Sequence, residues 1–434
     1  MSNQRRRFLA QSATLALGVT ALPSFANSFS GKLSAADQIN VGVIGCNGMG
    51  WSNLQAILKQ PNVRCIAICD VDENVLTKRA GELASRNMPV KTYKDHRELL
   101  DNKDIDIVII GTPDHWHCIQ MVDACAAGKH VYVEKPCGNS VEECRVMEAA
   151  QQRYGSIVQV GQWQRSAPHF QEAVNFVHSG KLGNIRTVKS WAYMGWMKPV
   201  PIRQDSAAPN GVDYTRWLGP ATKRPFNANR FHFNFRWVWD YAGGLMTDWG
   251  VHMMDYALLG MKAQFPNQVM ASGGKMAYPD DASETPDTLA AVFEYDKFNI
   301  VWEHATGIDL GPYGLTHGTA FIGNNGTLVL NREGWYVKEE KGKMEPVEFQ
   351  KDKGDSLERH MANFLEAIKS KDPSKLNTPI QQASLTAQVC QLGNIAFRTR
   401  DLLKWDAAKA QFNSKAANAL LKANYQNGYK VPKV

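Results

Sequence analysis

The 434-residue sequence has no C-x-x-C pair among its eight cysteines, no low-complexity tract, no internal repeat, and no Lys/Arg cluster interleaved with aromatics along a helix. Each absence removes a class of protein. The cysteines lack the spacing of a zinc or dithiol site, and Cys65 and Cys69, on one face of a predicted strand, read as small core residues. Without a basic helix, and with a formal charge of only +7, a nucleic-acid partner is not expected. That charge falls to +4 once residues 1–26, with three arginines and no acid, are set aside. Long apolar runs are missing too: the stretch that ends at Leu22 is too short to span a bilayer comfortably.

What the first residues do contain is an address. Arg5-Arg6-Arg7-Phe8-Leu9, an apolar stretch and then Ser24-Phe25-Ala26 read as a signal peptide over 1–26, and the arginine pair resembles the twin-arginine export signal. That route carries folded proteins, so a cofactor loaded in the cytoplasm travels with its enzyme. The expected location is the periplasm, with no membrane attachment after the signal is removed.

Beyond it, Gly45-Cys-Asn47-Gly48-Met49-Gly50 follows an apolar run at 39–44, opens a predicted helix at 51–58, and precedes a second strand at 63–69 that ends at Asp70. In that context the glycine triplet is a dinucleotide fingerprint. The first glycine allows the tight turn, the second lets backbone approach a pyrophosphate, and the third lets helix and strand pack closely. The helix N-terminus stabilises the phosphate charge. Asp70 suits a ribose diol and repels a 2′-phosphate, so NAD is expected rather than NADP.

Strands predicted at 39–44, 63–69, 105–110, 130–134 and 157–160 alternate with helices at 73–86, 115–127 and 141–154, as a doubly wound parallel sheet requires. After Gly161 the alternation stops. A helix at 169–178, a strand at 185–193, a Pro/Gly-rich loop, strands at 287–293, 299–304, 320–322, 327–330 and 335–338, and helices at 357–368 and 381–398 predict an α+β half with a mostly antiparallel sheet. The expected division is therefore 1–26 signal, 36–161 Rossmann domain, 162–402 substrate and oligomerisation domain, and 403–434 a tail that Trp405, Phe412 and Tyr425 dock.

Ligands of such sheets lie beyond the C-terminal strand ends, where Thr112-Pro113 and Glu134-Lys135-Pro136 fall. A lysine there, beside a nicotinamide cation and partly desolvated, is expected to act as a proton acceptor, with Pro136 restricting its backbone. Gly243-Gly244-Leu-Met-Thr-Asp248-Trp-Gly-Val-His252 places a carboxylate and an imidazole four residues apart, on one face of a predicted helix, where one can orient the other. No cysteine or carboxylate cluster joins them, so no metal is expected. Residues 231–241 alternate aromatics with His232, Asn234, Arg236 and Asp240, which suits either a sugar pocket including Arg236 and Trp239 or a half-buried strand. Trp116, in the run His115-Trp116-His117, either walls the nicotinamide or packs.

These motifs, together with Gly111-Thr-Pro-Asp-His-Trp-His117, resemble the glucose-fructose oxidoreductase, inositol dehydrogenase and rhizopine catabolism family, written Gfo/Idh/MocA, over essentially the whole chain after the signal. The resemblance implies a Rossmann domain joined to an α+β domain with a large open sheet, often used to form oligomers, here a dimer or tetramer. It implies that Lys135 and His252 act on a substrate hydroxyl, that Asp248 helps place it, and that His117 occupies a position the family often fills with histidine. A hydride would move between a sugar carbon and the nicotinamide. Three functions fit: a sugar, glycoside or polyol oxidoreductase with tightly held NAD; a glycoside hydrolase that oxidises, eliminates, adds water and returns the hydride; and a sugar sensor, against which the intact Lys, Asp and His argue.

Overall fold

The computed structural model describes residues 38–434. The expected signal peptide at 1–26 and the first residues of the expected Rossmann domain lie outside them.

Six strands form the first sheet: β1 (Ile39–Ile44), β2 (Val63–Cys69), β3 (Lys91–Tyr93), β4 (Ile107–Ile110), β5 (His130–Val133) and β6 (Val158–Val160). Every pairing is parallel, in the order β3-β2-β1-β4-β5-β6. That is the Rossmann order. All four residues of β4 are buried, because helices cover both faces of a parallel sheet and leave no face for polar side chains. The order reverses between β1 and β4, so the glycine turn after β1 and Gly111-Thr112-Pro113 after β4 meet at the crevice. Strand β3 and the short helix His96–Leu100 were not visible in the sequence. Lys91–Tyr93 has two exposed residues and too little apolar content for a strand signal.

Ten strands form the second sheet: β7 (Ile185–Met194), β8 (Gln268–Gly274), β9 (Thr288–Glu294), β10 (Asn299–Thr306), β11 (His317–Gly323), β12 (Gly326–Leu330), β13 (Gly334–Glu339), β14 (Val347–Lys351), β15 (Leu403–Asp406) and β16 (Gln411–Phe412). Their order is β14-β13-β12-β11-β7-β10-β9-β8-β15-β16, antiparallel except for β7 beside β10. Leu289, Ala291 and Phe293 of β9 are buried between more exposed neighbours, the period of a sheet with one covered face. The covering helices are Gly250–Met261 and Ile380–Thr399, and the Ser190 and Thr319 hydroxyls both donate to the Met253 carbonyl, at 3.4 and 2.9 Å.

Two features join the halves. Helix Ile380–Thr399 is buried along most of its length and meets the Rossmann helix Val141–Tyr154 through Gln388, which accepts from Arg145 at 3.1 Å. The tail first adds β15 to the edge of the second sheet, then crosses back: the Tyr425 hydroxyl donates to Glu143 at 2.7 Å, and Tyr429 packs edge-on against Trp116. The tail docks, as its aromatics suggest. All eight cysteines are buried and free.

One local expectation fails. Residues 231–241 are not a strand; His232–Trp237 forms a single tight turn of helix. His232 takes a positive φ of 51°, which no extended strand allows, and the segment packs Phe231, Phe235 and Tyr241 into a small cluster with Trp217 and Phe226.

Candidate active site

The cleft at the crevice, about 360 Å³ in volume, is lined by both halves. On its Rossmann side stand Gly45, Asn47, Gly48, Met49, Asp70, Thr112, Pro113, Glu134 and Lys135, all expected from the sequence. Gly48 has φ +48° and open space where a Cβ would be, while a Cβ on Gly50 would run into the Gly45 carbonyl, and one on Gly111 would lie 2.5 Å from the Gly50 Cα. Backbone thus packs on backbone behind the turn and leaves its front face bare. The Asp70 carboxylate accepts from the Cys46 N–H at 2.8 Å and the Asp72 N–H at 3.1 Å, which aims it across the end of β2; burial pushes its pKa up. Bare turn, helix N-terminus and fixed carboxylate together fit a dinucleotide.

Lys94, Arg97 and Arg216 also line this end, a cationic element the sequence did not disclose. Each already faces a carboxylate: Glu73 at 2.9 Å, Asp123 at 3.5 Å and Asp213 at 3.3 Å respectively. Over the same end runs a strap from the second half. The Glu73 N–H donates to Gly211 O at 2.9 Å, the Asp213 N–H donates to Val71 O at 2.9 Å, and Trp217, Phe231 and His232 complete the roof.

At the other end Lys135 meets Asp248. The lysine Nζ donates to the Asp248 carboxylate at 2.7 Å and to its carbonyl at 2.9 Å, and Arg236 Nε donates to the same carboxylate oxygen at 3.1 Å. Burial works against this charge, yet the two cations hold the Asp248 carboxyl well below the usual range. Arg236 is itself flanked by the rings of Phe233 and Phe235, 4.6 and 4.7 Å away. The neighbour of Lys135 is the Asp248 carboxylate, to which its Nζ donates. One expectation changes here. Asp248 orients Lys135, not His252, because the backbone breaks at Trp249 and the two residues lie on successive helices, Gly244–Asp248 and Gly250–Met261.

His252 is buried with Nδ1 unpartnered, and its neighbours are the rings of Trp163 and Trp249. Burial first, then Lys135, Arg332 and His317, push its pKa well down. This environment favours the neutral imidazole, and His252 lies behind the residues that line the cleft rather than among them.

Trp116 walls the cleft and also packs, its indole N–H donating to Trp217 O at 2.9 Å. His117 and Trp239 do not join the site. Both ring nitrogens of His117 face backbone carbonyls, Pro136 O at 2.7 Å and Thr112 O at 2.8 Å, so the ring braces the two turns from beneath and has no atom left for a ligand. Trp239 faces a separate cavity, its indole N–H on Glu284 O and its ring under Arg398. Asp114 and Gln120 were missed. Burial pushes the Asp114 carboxyl up to about 8 despite Arg236 and Lys135, and Gln120 accepts from the Thr112 hydroxyl at 2.7 Å. A buried carboxyl at the start of a helix carries no sequence signal apart from ordinary capping.

A Rossmann sheet whose glycine turn, acidic β2 end and lysine-bearing β5 end face one cleft, closed by an α+β half, defines a two-domain NAD(P)-binding oxidoreductase scaffold. The chain belongs to the Gfo/Idh/MocA oxidoreductase family: residues 39–162 match its NAD-binding Rossmann fold, and residues 176–431 match its C-terminal alpha/beta domain. A Shewanella baltica glycosyl hydrolase family 109 protein is 34% identical over 168 residues, which cover 34% of this chain and 37% of that protein. The chain thus aligns with little over a third of that curated relative. Among solved structures, aldose-aldose oxidoreductase from Caulobacter crescentus aligns with TM-score 0.62 and 19% identity over 85% of this chain and 99% of that one. A levoglucosan dehydrogenase in complex with NADH and levoglucosan aligns with TM-score 0.64 and 17% identity, again over 85% and 99%. At such identities these structures speak for the fold.

Proposed function

We propose that the protein moves a hydride between a ring carbon of a sugar, glycoside or polyol and tightly held NAD. The observation that carries this is the Lys135–Asp248 pair at the mouth of a dinucleotide-shaped cleft, with the neutral imidazole of His252 in its electrostatic field. Gly45, Asn47, Gly48, Met49, Asp70, Thr112, Pro113 and Glu134 would hold the cofactor, which when bound supplies the hydride acceptor. Lys135, fixed by Asp248, donates a hydrogen bond to the substrate oxygen and sets its position. His252 takes the hydroxyl proton, since burial keeps it unprotonated. Arg236 limits the freedom of Asp248 and stands at the substrate end.

A second reading is favoured by the glycosyl hydrolase family 109 relative: the same site would oxidise one carbon transiently and release an aglycone. We further propose export through the twin-arginine route. Self-association would use the open face of the second sheet, where Met270, Val292 and Val301 form a cross-strand apolar row. Mass spectrometry of products from a panel of glycosides and free sugars, with NAD supplied, tests the main proposal. An oxidised sugar with its glycosidic bond intact supports it, cleaved sugar without net NADH supports the hydrolase, and no product from any sugar overturns both.

A further inference from the structure

The turn between β12 and β13 carries an arginine without a counter-ion. Arg332 is mostly buried, its Nε has no hydrogen-bond partner, and its side chain donates to Gln164 Oε1 at 3.3 Å. Among the described residues no carboxylate lies within 4 Å of it, whereas Arg97, Arg216, Arg224 and Arg236 each have one. Its guanidinium is held between two half-buried indoles, 5.0 Å from the Trp163 ring and 4.4 Å from the Trp249 ring.

Three elements build this arrangement. Trp163 follows β6 of the Rossmann sheet, Trp249 sits at the helix break after Asp248, and Arg332 lies on a turn fixed by Asn331, whose side-chain oxygen accepts from the Glu333 and Gly334 N–H groups at 3.0 and 3.1 Å. The same two indoles flank His252, and the charge of Arg332 acts on both His252 and Asp248. A guanidinium so placed costs free energy unless an anion arrives. Its planar fork matches a carboxylate, and indole faces suit the apolar side of a sugar ring.

We propose that Arg332 reads a carboxylate on the substrate, so that the sugars this site accepts are acids of the uronic type, with the carboxylate at the guanidinium that Trp163 and Trp249 hold and the reacting carbon toward His252. This rests on the sugar-oxidoreductase reading of the cleft whose Asp248 interacts with Arg332. A negative charge on the ligand would meet a cation with no carboxylate within 4 Å among the described residues, and Asp248, already shared by Lys135 and Arg236, is not available to supply it.

The test compares matched pairs, methyl glucuronide against methyl glucoside and the corresponding galacto pair, in two assays: product mass with NAD supplied, and direct binding by calorimetry. Wild type should favour the uronide in kcat/KM by about 100-fold, the size expected for a desolvated charge pair. Arg332→Met should bring that ratio toward one, and Arg332→Lys should recover part of it, with folding of both checked by thermal melts. If either variant does not fold, the wild-type ratio decides alone. Equal or better use of the neutral sugars by wild type overturns the inference and leaves the oxidoreductase reading standing. Arg332-dependent binding of uronides with no turnover of any sugar supports the inference and sinks the oxidoreductase reading. Absence of both binding and turnover overturns the two together.

Discussion

At the scale of single residues, the cleft divides its work between groups that touch a ligand and groups that hold those in place. In the proposed function Lys135 belongs to the first kind. Lys135→Met removes the donor and leaves Asp248 with Arg236 alone, so turnover should fall about 100-fold or more while the bound dinucleotide is retained; near-normal kcat would remove Lys135 from the chemistry. In the proposed function Asp70 would set the choice of dinucleotide. Asp70→Ser takes a carboxylate from the end of β2 while Lys94, Arg97 and Arg216 remain, so the ratio of NAD to NADP affinity should fall by about 10-fold, the worth of roughly 1.4 kcal/mol. Equilibrium binding of both cofactors checks this, and an unchanged ratio would move the selectivity elsewhere. His117 belongs to the second kind: its two carbonyl contacts tie the turn of Thr112 to the turn of Pro136, one residue from Lys135.

At the scale of elements, the placement of His252 depends on a buried ion pair. Arg165 donates to both carboxylate oxygens of Asp255, at 2.6 and 2.7 Å, and the Thr386 hydroxyl donates to the same group at 2.8 Å. Arg165 shares a turn with Trp163, Asp255 shares a helix with His252, and Thr386 belongs to helix Ile380–Thr399. Three elements are thus fixed at one point, three residues from the imidazole. Asp255→Asn leaves a buried guanidinium without its charge partner, and chemical denaturation should register a loss of about 3–5 kcal/mol. Turnover should fall with it even below the melting temperature, because both walls of the His252 pocket are displaced; a stable, fully active variant would show the pair to be dispensable.

At the scale of the whole molecule, acid stability follows from buried imidazoles. His115, His304 and His360 are buried in the folded protein, and burial takes each from an ordinary value of 6.5 down to about 4. Between those values the unfolded chain binds protons that the folded one does not, so stability is complete above about pH 6.5 and is lost as pH falls toward 4. Each ring contributes a slope of about 1.4 kcal/mol per pH unit in that window. Melting temperature against pH should drop steeply there, and a flat profile from pH 7 to 4.5 would contradict the assignment. At this same scale the fold was largely legible: β1 and β2 were bounded to the residue, since a largely apolar, β-branched run between turn signals reads as a strand of a parallel sheet. Strands β8, β14, β15 and β16 were not, because Gln268–Gly274 ends in glycines and the others are short and half exposed. The glycine turn, Asp70 and Glu134-Lys135 could be read because backbone geometry demands those residues locally. Arg332, Trp163 and Trp249 could not, since nothing along the chain announces that three distant segments converge.

Helix Ile380–Thr399 and the returning tail bridge the two halves at Gln388 and Tyr425, while the strap that Gly211 and Asp213 button onto the end of β2 covers one end of the cleft. If the strap must lift for a ligand to leave, its residence time should follow those few backbone hydrogen bonds on one surface segment, and changes there should alter exchange without touching a residue that meets the ligand.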